Sequence, residues 1–98
     1  MPVTIKDSFD TAGLVTTWGT PGRKGFVPDA DATAVARLRA AGAIVLGTTN
    51  VAEMLMGYET VNPLHGTTRN PWDLTRTPGG SSGGESAAIA AGCSFAGI

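Results

Sequence analysis

At 98 residues the chain can close one modest hydrophobic core, and its 42% apolar content is that of an ordinary globular domain. A net charge of −1, with no run or patch of Lys and Arg, argues against nucleic-acid binding as the main task. No apolar stretch approaches the length of a membrane span, no secretory leader stands at the N-terminus, and Cys93 has no internal disulfide partner, so the composition points to a cytoplasmic setting away from membranes.

The chain opens on Pro2-Val3-Thr4-Ile5, β-branched and apolar, which reads as a short strand with Lys6 and Asp7 at its end. Strand ends beside loops are where α/β proteins place functional groups, although a solvated Lys next to an Asp is the commoner state of a lysine. Residues 8–25 are mostly connection, punctuated by Gly13, Gly19, Pro21, Gly22 and Gly25, with room for a second strand at 14–18. Arg23 and Lys24 read as a solvated loop tip, and Trp18 as packing. The clearest helix covers 29–42. Asp31 is its expected N-cap, Val35 and Leu38 share one face, and Gly42 is a natural stop. Ala43-Ile44-Val45-Leu46 then reads as a buried strand, and the strand–helix–strand order predicts an α/β sheet.

Thr49 or Asn50 is placed to cap a short helix reaching Gly57, with Val51, Met54 and Leu55 on its inner side. Met54, Leu55 and Met56 fit core or pocket wall better than a cofactor box. Glu53 and Glu59 do not share a helix face and read as ordinary polar residues. Residues 58–77 form a long connection in which Asn70-Pro71-Trp72-Asp73 is a turn with an aromatic anchor. His65 is the only histidine, with no second His or Cys at ligand spacing. That argues against a metal site and against a Ser–His–Asp triad within the chain, and Gly-x-Ser-x-Gly is absent.

The stretch Thr77-Pro78-Gly79-Gly80-Ser81-Ser82-Gly83-Gly84-Glu85-Ser86 runs straight into Ala87-Ala88-Ile89-Ala90-Ala91-Gly92. Glycine permits backbone conformations with positive φ and close approach, while alanine is a strong helix former. The pair therefore predicts a tight turn that presents two hydroxyls just before a helix N-terminus. A flexible linker is disfavoured because the stretch is short and bounded by Pro78 and a helix. A phosphate loop is disfavoured because Glu85 stands where a Walker lysine would be. Cys93 reads as a buried structural thiol, and Ser94-Phe95-Ala96-Gly97-Ile98 as a closing strand.

Pro78-Gly79-Gly80-Ser81-Ser82-Gly83-Gly84 before a small-residue helix resembles the signature of the amidase signature family. Pro2-Val3-Thr4-Ile5-Lys6-Asp7, Asp31-Ala32-Thr33-Ala34-Val35, Gly47-Thr48-Thr49-Asn50 and Gly66-Thr67-Thr68-Arg69-Asn70-Pro71-Trp72 extend the resemblance, in order, over nearly the whole chain. It implies a partial amidase-signature fold, a mixed β-sheet flanked by helices, with residues 1–98 a partial domain truncated at both ends. It also implies hydrolysis of carbon–nitrogen amide bonds in a small-molecule substrate through a Ser–cis-Ser–Lys triad, with no metal or organic cofactor.

Carried over residue by residue, the resemblance assigns the catalytic lysine to Lys6 and the relaying serine to Ser81, with a cis Gly80–Ser81 bond. Ser82, Gly79 and Gly80 become supporting residues, Ser82 by hydrogen bonding near Lys6, while Met54 and Leu55 approach the substrate. Burial would lower the pKa of Lys6 and free it to accept a proton. The nucleophilic serine is expected about two dozen residues past Ser81, so the 98 residues alone are expected to hydrolyse nothing. Within the family, Glu85 and Tyr58-Glu59-Thr60-Val61-Asn62-Pro63-Leu64 resemble general or fatty-acid-type amidases. The glutamyl-tRNA(Gln) amidotransferase subunit that works on misacylated tRNA, which more often has Ser at the place of Glu85, is the runner-up. A Lys often stands in the family where this chain has Thr48. A non-catalytic truncated module and an anion- or nucleotide-binding loop are the readings from other classes.

Overall fold

β1 (Pro2–Lys6) is the middle strand of a three-stranded parallel sheet in the computed structural model, which describes all 98 residues. β2 (Ile44–Thr49) and β5 (Ala96–Gly97) lie on its two sides, giving the order β2-β1-β5. Antiparallel pairing is confined to a separate two-stranded ribbon of β3 (Val61–Asn62) and β4 (Gly66–Thr67). Two helices complete the α/β architecture: α1 (Thr33–Ala40), between β1 and β2, and α2 (Gly83–Ala90), before β5.

Side chains alternate across a strand, and β1 uses both faces. Val3 and Ile5 point to one side and are buried against Val35 of α1, with Phe9, Leu38, Val45, Ala96 and Ile98 packed around them. Each of these three buried aliphatics stabilises the fold by about 1.5–3 kcal/mol. Thr4 and Lys6 occupy the opposite face, towards α2. The apolar core and the polar site thus share one strand.

Several expectations are revised by tertiary contacts. α1 starts at Thr33, and its N-cap is Ala32. Asp31 instead accepts the Ala12 N–H at 2.8 Å and pairs with Arg39 at 3.0 Å, tying the loop before the helix to the helix itself. Gly42, at φ +86°, ends the helix as expected. β2 is half-exposed, with Ile44 63% and Leu46 53% accessible, because an edge strand has a neighbour on one side only.

No strand forms over 14–18. Thr17 is claimed there by the Asp7 carboxylate, which accepts its N–H at 2.8 Å and its hydroxyl. Arg23 is no solvated tip: it lies 4.4 Å from the Trp18 ring centroid and 4.2 Å from that of Phe26, and it pairs with Asp10 at 3.0 Å. The helix expected to reach Gly57 reduces to a 3₁₀ turn at Glu53–Leu55, because β2 continues through Thr49 and both Met54 and Leu55 take positive φ. Trp72 is 83% exposed and anchors nothing, although Asn70 and Asp73 do close the turn around it. Cys93 is exposed, since the short β5 leaves the chain just after α2 at the surface.

Candidate active site

Lys6 ends β1 on the face turned towards α2, and Ser81 lies in the loop that enters α2. Although 75 residues apart in sequence, they meet: Lys6 Nζ donates to Ser81 Oγ at 2.7 Å. Burial lowers the Lys6 pKa from its ordinary value, because an ammonium is less well solvated there than in water. A lysine so placed is shifted towards the neutral, proton-accepting form beside a hydroxyl.

The loop around Ser81 is held by its backbone. The Gly80–Ser81 peptide is cis, and Gly79 takes φ +89°. A Cβ on Gly80 would lie 2.8 Å from the Tyr58 carbonyl carbon and 2.9 Å from the Glu59 nitrogen, so the segment over it leaves no room for a side chain. The first turn of α2 starts on Gly83 and Gly84 for the same reason: Thr60 and the Asn50 backbone fill the space where their side chains would stand. Thr60 Oγ1 donates to the Gly79 carbonyl at 2.9 Å and accepts the Gly83 N–H at 2.7 Å. The Ser81 carbonyl accepts the Ala52 N–H at 3.1 Å, and the Asn50 carbonyl accepts the Gly84 N–H at 3.2 Å. Asn50 is itself fixed by Asn62 and Thr68 at 2.6 and 2.9 Å. The glycines therefore serve close packing as much as turning.

The supporting role expected of Ser82 is not the one found. Its hydroxyl makes no hydrogen bond to Lys6 or to any other group of the chain, and its carbonyl instead accepts the Glu85 and Ser86 N–H groups that open α2. Leu55 reaches the site, but Met54 does not. A cavity of about 520 Å³ is lined by Leu55, Met56, Gly57, Tyr58, Gly80 and Ser81. Met54 lies in a neighbouring groove with Glu53 and Glu59. The floor of the larger cavity is polar at Ser81 and its walls are apolar, the usual make-up of a small-molecule site.

Two buried carboxylates escaped sequence reasoning. Asp7, next to Lys6, orders the 14–18 segment through Thr17, whose hydroxyl also stands 3.5 Å from His65 Nε2. Glu85 is only 8% exposed and accepts the Thr4 hydroxyl at 2.6 Å and the Thr49 hydroxyl at 3.1 Å. An acidic residue in the first turn of an alanine-rich helix ordinarily suits the helix dipole at the surface. The one available signal was Gly97, whose missing side chain leaves space for that carboxylate.

Comparison with known proteins bears on this geometry. The whole chain, residues 1–98, matches the Amidase family. A glutamyl-tRNA(Gln) amidotransferase subunit of Nitratidesulfovibrio vulgaris is 54% identical over 98 residues, which are 100% of this chain and 20% of that protein. The crystal structure of the corresponding glutamyl-tRNA(Gln) amidotransferase subunit from Thermotoga maritima superposes with a TM-score of 0.93 at 43% identity, covering 98% of this chain and 22% of that one. Peptide amidase from Stenotrophomonas maltophilia superposes with a TM-score of 0.90 at 39% identity, over 96% of this chain and 20% of that one. The chain thus spans about a fifth of the length of these proteins. With the family match running from Met1 to Ile98, the chain belongs to the Amidase family.

Proposed function

We propose that this chain supplies the base and the proton relay of an amide hydrolase. Lys6, held neutral by its surroundings, takes the proton of Ser81, and Ser81 takes the proton of a nucleophilic serine. That serine attacks the amide carbonyl, and the proton returns along the same path to the leaving nitrogen. Water then releases the acyl group from the serine. The chain's own serines are Ser8, Ser81, Ser82, Ser86 and Ser94, and Ser81 is the one bonded to Lys6. The nucleophile and the oxyanion donors are assigned to sequence outside these 98 residues, so the isolated chain is expected to be inactive. Substrate enters the cavity beside Ser81, where Leu55, Met56 and Tyr58 favour an apolar group on the amide. No metal or organic cofactor takes part in this scheme. No helix is long and apolar enough to cross a membrane, and with Cys93 unpaired the cytoplasm is the proposed setting.

The observation that carries the proposal is the 2.7 Å contact between Lys6 Nζ and Ser81 Oγ. In the intact protein, Lys6→Ala and Ser81→Ala should each lower amide hydrolysis by roughly 10²- to 10⁴-fold, the range for loss of a proton-transfer group, with the melting temperature little changed. Full turnover in Lys6→Ala would refute it. A large loss of stability with turnover per folded molecule unchanged would favour the non-catalytic reading.

A second reading has its own support. The relatives that are amidotransferase subunits, at 54% and 43% identity, favour glutamine as the amide and a multi-subunit assembly as the setting. Ammonia release from L-glutamine, but not from benzamide or decanamide, would select it. Release from the apolar amides without added partner proteins would select the free-standing amidase.

A further inference from the structure

Glu85 is the side chain that the proton relay leaves without a task. Its carboxylate is buried, yet it forms no ion pair, since the pairs in the molecule are Arg23–Asp10, Arg39–Asp31 and Arg76–Asp73. Its two oxygens are divided between two strands: Oε1 accepts the Thr4 hydroxyl at 2.6 Å, and Oε2 accepts the Thr49 hydroxyl at 3.1 Å. Thr4 stands two residues before Lys6 on the same face of β1, and Thr49 is the residue of β2 paired with Lys6 in the sheet register. Glu85 itself sits in the first turn of α2, four residues after Ser81. Gly97 of β5 leaves the space the carboxylate fills, so all three strands of the sheet shape its seat.

A buried charge is a poor way to gain stability alone, because well-packed apolar residues serve as well or better. Its advantage is directional: each hydroxyl fixes one carboxylate oxygen, whereas apolar packing tolerates sliding. We propose that Glu85 is a positioning residue that locks α2 against β1 and β2 and so fixes the spacing between Lys6 and Ser81. This rests on the amide-hydrolysis reading for its consequence in catalysis, while the lock itself is a matter of geometry.

The test uses the intact protein, with crystal structures and benzamide hydrolysis as separate readouts. Glu85→Ala should lengthen the Lys6 Nζ–Ser81 Oγ contact beyond hydrogen-bond range and lower kcat by roughly tenfold or more, the scale for a small misplacement of a catalytic pair, with KM within about twofold. Glu85→Gln keeps the shape and one acceptor oxygen, and it should recover most of the lost kcat. If Glu85→Ala does not fold, Thr49→Val removes one of the two hydroxyls at nearly constant volume and is read in the same way. A contact still at hydrogen-bond distance with kcat at the parent's level would overturn the proposal. So would a kcat that falls only with the folded fraction. If the parent hydrolyses neither benzamide nor any other amide, the functional reading has failed, and the lock is judged on the crystallographic distance alone.

Discussion

At the scale of single residues, the protonation of Lys6 matters most. Its folded-state pKa lies below its unfolded value because the ammonium is partly desolvated. Between those two values the folded form binds fewer protons than the unfolded form. Stability therefore rises with pH through that window and is lost as pH falls through the folded-state pKa. Replacing Lys6 by Met removes this dependence. Denaturant titrations should show Lys6→Met gaining most over the parent at neutral pH and least above the ordinary lysine pKa. Amide hydrolysis should rise along a limb whose midpoint lies below that ordinary value, and a limb at or above it would contradict the base assigned to Lys6. Asp73 is shifted down by the Thr75 hydroxyl, the Thr75 N–H and Arg76, but it is fully exposed and steadies only its own turn. The identities of Lys6 and Ser81 were legible in the sequence through motif resemblance. That they touch was not, because a contact spanning 75 residues leaves no local pattern. Ser82 was misjudged for a related reason: two adjacent serines look equivalent on paper, whereas the backbone turns only one towards the lysine.

At the scale of elements, sequence was a good guide where local preference and packing agreed. β1 and the helical core of α1 stand where their apolar periodicity predicts. The helix after the Gly/Ser loop also forms, and it starts at Gly83, a residue that helix propensity alone would exclude. Close approach decides that position, and it gives a test. Alanine at Gly80 would crowd the 57–59 backbone, and alanine at Gly84 would crowd Asn50. Each is expected to destabilise the fold by about 1–3 kcal/mol, the cost of overpacking, as read by urea denaturation. Alanine at Gly13, where open space surrounds the Cβ position, is the control that isolates the positive-φ penalty from crowding. The elements that misled were those governed by partners far along the chain. The 14–18 segment has strand-like residues but is drawn into turns by Asp7, and β2 has a buried strand's composition at an exposed edge.

At the scale of the molecule, the chain is a slab, 38 × 31 × 16 Å, with 19 of 98 residues buried. Ile44, Leu46, Tyr58, Trp72 and Phe95 are each more than half exposed. Apolar exposure on this scale marks surfaces that associate. The 98-residue chain expressed by itself is expected to self-associate, visible as species heavier than a 9.9 kDa monomer in sedimentation velocity. A single monomeric boundary at tens of micromolar would contradict this. The order of the sheet has a further consequence during synthesis. β1, at the sheet's centre, is made first, while its partners β2 and β5 begin at residues 44 and 96. A ribosome adding about 5–20 residues per second leaves β1 with both edges open for seconds before either neighbour emerges. A nascent strand of β-branched residues with two free edges is a candidate for chaperone capture, and Lys6 and Asp7 at its end are the charges that guard it against pairing with another chain.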